Sequence, residues 1–578
     1  MRQSMIGTFF ISIDTECESW SGEIISLRRF QLFISVLLCV SSLLHIDNPA
    51  SAAARPTVTV MCYLNGDNNL SVEVLNALDM METVGSSPQV NIIALVDGHP
   101  QGSQPYGTKW SGTHLVHVLA DQERGRIVSP IIESYGERNL GEPDTLTDFV
   151  RTSRQRFPAD RYIFCTFAHG KGIINTDHFA GFKTYKSLSI SSDETNHAIM
   201  THSQFQKALS AGLAGEKFDL MVMFSCLTNM VEIAYSLRDV TRYLVASEDE
   251  IRLLNDPPGT YQLRGIAFED FLKQLQTDPE IQAPDLARHI IDLYIEPYNR
   301  KIKIVDTDGS ARYYQFSAGL SLIDTQSLTG LASRLDQLTQ IVTRRLNSEP
   351  TAMDAIRMMH AALAASQSYQ SFMNLEYYDL TDLLQNWQRM DQDGTVRRIC
   401  AETLRYIKEK VILYARHTRD CRSNGISIYL SNYLVPENIY RAHQRLYLES
   451  EFSRDTSWVR LIETYRKVMI RYYPDILIDQ CALAYAKTDI DRFERLSCRI
   501  IWALRHQIQN GRHRTARRYV DLLASVNPLH VPRHCLYDFQ HILQSNRSRP
   551  AFADLSRQIA LMLENTGARR SSPKRLSR

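Results

Sequence analysis

The sequence predicts an α/β protein built on a mostly parallel sheet with helices on both faces, plus helical insertions and a helical C-terminal extension. Three observations carry that prediction. Several short apolar runs are continuous rather than alternating, the pattern of strands buried on both faces. The first two close in turn-forming residues, Asn65-Gly66-Asp67-Asn68-Asn69 and Asp97-Gly98. Stretches with helical spacing lie between the runs.

In chain order, Thr57–Leu64 reads as the first strand and Leu70–Met81 as the helix that follows it. Val90–Val96, Tyr162–Ala168 and Phe218–Phe224 read as the next three strands. Leu227–Leu237 reads as an amphipathic helix and Tyr243–Ala246 as a fifth strand. From about Ala283 to Lys410 the pattern is largely helical, with Leu328, Leu331, Leu335, Leu338 and Val342 on one helix face. Gln315–Ile323 and Gly425–Leu430 are strand-like pieces. Beyond Tyr473 the chain is helical again, rich in Arg and His, and from Ala568 it has the basic, polar composition of a disordered terminus. These readings divide the chain into a signal region (1–54), a catalytic core (55–275), a helical region that completes the domain (276–473) and the C-terminal extension (474–578).

The 578 residues suffice to bury a large core without disulfides or metals. Lys and Arg number 65 and Asp and Glu 64, a net charge of +1. That balance gives no case for nucleic acid or an anionic membrane surface as a partner. Near the N-terminus, Arg28 and Arg29 precede an apolar run, Phe30–Leu44, and then Ala50-Ser51-Ala52-Ala53-Ala54. Positive charge, a short apolar stretch and small residues at A-x-A spacing form a secretory signal, cut after Ala52 or a neighbouring alanine. The run is shorter than the ~20 residues of a bilayer span. The chain is therefore expected to be exported, to the periplasm, the cell surface or the medium. Residues 1–27, with Asp14, Glu16, Glu18 and Glu23, are atypical for a signal and are accounted for by a start codon set too far upstream.

Of ten cysteines, Cys17 and Cys39 leave with the signal. The others show no C-x-x-C pair or zinc spacing, so no metal and no cofactor is expected. Cys62 and Cys165 lie four residues before Gly66 and His169 on neighbouring strands, and are expected as buried free thiols. His197, His202, His360 and the C-terminal histidines show no ligand spacing and read as surface residues. Asp67 and Asp97 read as turn formers.

In open parallel sheets, chemistry gathers beyond the carboxyl ends of the strands. There the third strand runs into His169-Gly170 and the fourth into Ser225-Cys226. Cys226, read as sitting at a helix N-terminus that lowers its pKa, is the candidate nucleophile. His169 titrates near neutrality and is the candidate proton carrier. The backbone N–H groups of Gly170 and Cys226 are candidate oxyanion donors. Such a pair suits covalent acyl transfer.

Taken in order, Thr59–Leu70, Phe167-Ala168-His169-Gly170, Ser225-Cys226-Leu227 with Val231–Tyr235, Ser247-Glu248 and Asn424–Tyr429 resemble the clostripain family of caspase-like cysteine peptidases, over about Thr57 to Tyr473. The resemblance implies a caspase-like α/β/α sandwich, His169 as base and Cys226 as nucleophile of an endopeptidase acting on proteins or peptides. It also implies possible activation by a cut between the two, for which Lys183 and Lys186 stand in a polar stretch. The family has Asp-Ala-Cys where this chain has Phe224-Ser225-Cys226, so one acid of the pocket for an Arg or Lys side chain is gone. Glu248, Asp249, Glu250 or Asp256 are candidate replacements, Asp256 foremost, and a weakened preference for Arg or Lys at P1 is expected. The alternative is a weak or inactive homologue acting as an exported protein-binding module. A scaffold whose C-terminal helices bind a partner is a third reading.

Overall fold

The computed structural model describes residues 56–100, 106–173, 191–252, 266, 268–305, 310–371, 375–418, 423–431, 437–509, 513–526, 533–546 and 550–565. The signal region, Lys183, Lys186, Asp256 and the basic tail lie outside them.

The strands are β1 (Val58–Gly66), β2 (Val90–Gly98), β3 (Gly112–His117), β4 (Ile131–Gly136), β5 (Arg161–Phe167), β6 (Ser191–Asp193), β7 (Ala198–Met200), β8 (Phe218–Phe224), β9 (Thr241–Ala246), β10 (Ile302–Val305), β11 (Ala311–Tyr314), β12 (Gly319–Asp324), β13 (Ser368–Ser371), β14 (Leu375–Asp379), β15 (Ile412–His417) and β16 (Ser427–Tyr429). Nine of them form one sheet in the order β15-β12-β9-β8-β5-β1-β2-β3-β4. The central five, β9-β8-β5-β1-β2, are parallel. Antiparallel strands extend both edges: β12 and β15 beside β9, β3 and β4 beside β2. The expected parallel strands are thus the heart of the sheet; of its flanks, β12 overlaps the strand-like piece Gln315–Ile323, whereas β3, β4 and β15 are additions that sequence patterning passed over. In β4 the side chains are half-buried or exposed and polar residues interrupt the run, so it lacks the signature of a buried strand.

Alternation along the central strands builds two cores. Met61, Tyr63, Phe164, Met221 and Met223 face one, with helices Pro143–Arg156, His202–Leu213, Val231–Leu237 and Leu328–Leu346. Val60, Cys62, Leu64, Cys165, Val222 and Phe224 face the other, with helices Ser71–Glu82, Phe268–Thr277 and Ala283–Ile295. The result is the expected sandwich of sheet between helical layers. Cys62 stands opposite Cys165 in the β1/β5 register and both are buried free thiols.

The expected face of Leu328, Leu331, Leu335, Leu338 and Val342 is buried on helix Leu328–Leu346. Helix Trp458–Ala486 runs unbroken through 473–474, with Pro474 inside it. Helices Ile490–Gln509, Arg514–Ser525, Arg533–Gln544 and Pro550–Asn565 follow, and Phe493, Tyr519, Phe539 and Phe552 join the first core. No helix among the described residues is long and apolar enough to cross a membrane.

Candidate active site

The loops after β1, β5, β8 and β9 converge at one end of the sheet. The closest approach is backbone to backbone. A Cβ on Gly170 would lie 2.2 Å from the carbonyl oxygen of Cys226, 3.0 Å from its nitrogen and 3.1 Å from Ser225 Cβ. Only glycine permits that approach. It seats the segment carrying His169 directly on the segment carrying Cys226.

The expected helix at Cys226 is not there. Helix Val231–Leu237 starts five residues later, and Leu227 adopts a left-handed φ of 57°. The cause is tertiary: Leu227 N–H donates to Asp249 O at 3.1 Å, and Asn229 N–H to Ser247 O at 2.8 Å. These bonds fold the chain into a turn laced to the segment beyond β9. Without a helix terminus, the thiol gains no dipole to lower its pKa. Burial pushes Cys226 up to about 11, with Glu250 and Asp249 adding to the rise. Opposing it, Ile251 N–H donates to Cys226 Sγ at 3.2 Å and Arg252 stands nearby.

His169 is half-buried, and its Nε2 is 2.6 Å from Asn69 Oδ1. Burial, with the charge of Lys171, holds its pKa down to about 4. At neutral pH the resting state is therefore a neutral imidazole and a neutral thiol, each bonded to a different partner. The loop beyond His169 is firmly held. Tyr377 OH donates to Lys171 O at 2.8 Å, His202 Nε2 bonds to Gly172 O, and Ile173 N–H donates to Met230 Sδ at 3.3 Å. His202, expected on the surface, is 6% exposed and serves this loop, whereas His197 is exposed as expected.

The candidate pocket residues are scattered by the fold. Phe224 is 2% exposed, its ring edge-on to Phe268 with centroids 5.5 Å apart. Ser225 is buried too. Glu248 is also buried, accepting from Ser423 Oγ and, at 2.6 Å, from Gly425 N–H, so it staples the late strand rather than facing a groove. Asp249 is half-buried and accepts from Ser317 Oγ at 3.1 Å, while Glu250 pairs with Arg252 at 2.7 Å.

One cluster escaped sequence reasoning. Asp67, Asp97, Glu137 and Asp193 each bring a carboxylate oxygen within 4.8 Å of the others. Asp67, Asp97 and Asp193 are almost fully buried. Burial and mutual repulsion raise Asp97 well above the usual range, Glu137 to about 7 and Asp193 to about 6. Carboxylate oxygens are the donor type that hard cations take, although such ions need about six to eight oxygen ligands. The acids come from four separate segments with no common spacing, so nothing in the sequence announces the cluster.

The clostripain family matches residues 62–465. Clostripain of Hathewaya histolytica is 30% identical over 208 residues, a match covering 34% of this chain and 38% of that protein. Among solved structures, a secreted cysteine protease from Bacteroides thetaiotaomicron, bound to an irreversible peptide inhibitor, is 19% identical with a TM-score of 0.47, covering 69% of this chain and 99% of that one. An inactive zymogen protease from Parabacteroides distasonis is 17% identical with a TM-score of 0.48, covering 70% and 99%. With a family match across most of its length, through both the histidine and the cysteine loops, the chain belongs to the clostripain family.

Proposed function

We propose that this protein is an exported cysteine endopeptidase in which Cys226 is the nucleophile and His169 the general base. The observation that carries the reading is the seating of Gly170 on the Cys226 backbone, which joins the two loops at the carboxyl ends of β5 and β8. With both groups neutral at rest, His169 takes the thiol proton as Sγ attacks the substrate carbonyl carbon. The N–H groups of Gly170 and Cys226 are the proposed donors to the oxyanion. The imidazolium then gives its proton to the departing amine, and water, deprotonated by the regenerated imidazole, hydrolyses the thioester. Export rests on the N-terminal charge and apolar pattern. A cut near Lys183–Lys186 belongs to the same reading.

For specificity, we propose a weakened preference for Arg and Lys at P1. Phe224 offers no charge and Glu248 is committed to Ser423 and Gly425. That leaves Asp249, Glu250 and Asp256 as the acids for a basic guest, whose burial without a carboxylate is costly. Phe224→Asp is expected to raise the ratio of kcat/KM for P1 Arg over P1 Leu, and an unchanged ratio refutes Phe224 as a determinant.

The deciding experiment is cleavage profiling of a peptide library by the full chain, with Cys226→Ala as control, alongside labelling by a thiol-reactive peptide probe. Turnover and labelling lost in Cys226→Ala are expected. Failure of the wild type to cleave or to be labelled leaves the protein-binding homologue as the function.

A further inference from the structure

The run Asn65-Gly66-Asp67-Asn68-Asn69 does more than end a strand. Its first four residues are fixed from all sides. Asn65 Nδ2 donates to Ser191 Oγ and, at 2.9 Å, to Ser192 O. A Cβ on Gly66 would sit 2.3 Å from Val74 Cγ2 and 2.6 Å from Asp97 O. Asp67 accepts from Thr195 N–H at 2.9 Å and from Thr195 Oγ1 at 3.0 Å. Asn68 donates to Ser192 O at 3.1 Å and accepts from Leu70 N–H at 2.8 Å.

Asn69 differs: it is exposed, and its side chain takes no part in capping helix Ser71–Glu82, whose cap position is Leu70 without a side-chain bond. Its amide oxygen instead meets His169 Nε2 at 2.6 Å, a hundred residues away in sequence. The anchored loop holds this one side chain out to the imidazole.

We propose that Asn69 is the positioning residue of the His169–Cys226 pair, fixing the ring and its tautomer. An amide oxygen only accepts, so Nε2 must carry the proton and donate. That leaves the Nδ1 lone pair as the base, the atom that accepts the Cys226 proton. The bond matters because a neutral imidazole has two tautomers and only one presents a lone pair where the thiol is. It also matters when His169 becomes imidazolium, since burial disfavours that charge and Asn69 Oδ1 faces the N–H that carries part of it.

The inference rests on the Cys–His reading, and its test separates the two. Selective ¹⁵N-histidine NMR on the full chain, with His169→Gln to assign the signal, reads the tautomer whether or not the protein cleaves peptides. The expected result is a proton on Nε2 in the wild type and a mixture of tautomers in Asn69→Ala. In kinetics, Asn69→Ala is expected to lose kcat on the order of 10- to 100-fold, short of losing the base itself, with KM and Tm unchanged. Asn69→Asp keeps an acceptor and adds charge, so it recovers most of kcat and moves the acid limb of the pH profile upward. A wild-type proton on Nδ1, wild-type kcat in Asn69→Ala, or loss of kcat only in step with Tm overturns the proposal.

Discussion

Two neighbouring stretches of one sheet edge make an instructive pair. The ends of β1 and β2, with the segments beside them, gather four carboxylates, and the ends of β5 and β8 gather an imidazole and a thiol. Apart from the exposed Glu137 these groups are largely pulled out of water, and desolvation penalises whichever form is charged. For Asp97, Glu137 and Asp193 it raises the pKa, which favours the protonated form. For Cys226 it likewise keeps the thiol, but it drives His169 the other way, to a free base at neutral pH. Burial alone therefore does not make chemistry. What distinguishes the second region is that desolvation favours a neutral imidazole on one loop and a neutral thiol on the loop seated against it, whereas in the first the groups it acts on are all carboxyls.

The sharpest test of that contrast compares the two stretches directly. His169→Ala is expected to cut kcat/KM by roughly 10²–10⁴ in peptide cleavage assays. Asp97→Asn, on β2 and two strands from β5 in the sheet, is expected to leave kcat/KM within about threefold, as for a group away from the chemistry. Comparable losses in both variants would erase the distinction.

Next in size is the backbone seat. Gly170→Ala forces a Cβ into the Cys226 carbonyl and is expected to lower kcat by more than about tenfold, since displacements near 1 Å cost as much. Gly394→Ala, where nothing lies within 4 Å of the added carbon, is the matched control and is expected to be silent.

A smaller, pH-resolved effect follows from the neutral resting pair. With Cys226 near 11, its alkylation by iodoacetamide in the free protein should climb about tenfold per pH unit between pH 7 and 9, without a plateau. With His169 near 4, the acid limb of kcat/KM should stay flat down to about pH 5. An alkylation plateau at neutral pH would reveal a preformed thiolate–imidazolium pair and break the comparison.

The smallest effect concerns stability at the acid cluster. Asp97 has a folded-state pKa raised above its unfolded value, so the folded chain binds the extra proton. Stability is lost as pH rises through the unfolded pKa near 4 towards the folded one, and stays lost above it. Asp97→Asn keeps an acceptor for Thr113 Oγ1, which donates to Asp97 Oδ1 at 2.9 Å, and removes the ionisation. It is expected to raise Tm by roughly 1–3 °C at pH 8 and to change it little at pH 3, measured by calorimetry. A lower Tm at pH 8 would show that the carboxylate is stabilising as it stands.

Local chemistry by itself determined much of this protein. Continuous runs such as Val58–Leu64 and Phe218–Phe224 can be satisfied only between two apolar layers, so β1, β2, β5, β8 and β9 and the sandwich were readable before any coordinate. The strand-end positions of His169 and Cys226 followed from the same runs. Tertiary structure alone decided three things. The turn at Leu227 replaced the periodic helix because bonds to Asp249 O and Ser247 O outweigh local helical preference, and with it went the lowered thiol pKa. Phe224 and Glu248 became interior residues because Phe268, Ser423 and Gly425, far along the chain, meet them there. The acid cluster and the Asn69–His169 bond join residues from separate segments, a hundred positions apart in the latter. Periodicity reports which face of an element is buried, because that depends on neighbours along the chain. Which polar group meets which inside the fold depends on how those elements stack, and that is fixed only when the sheet closes its order.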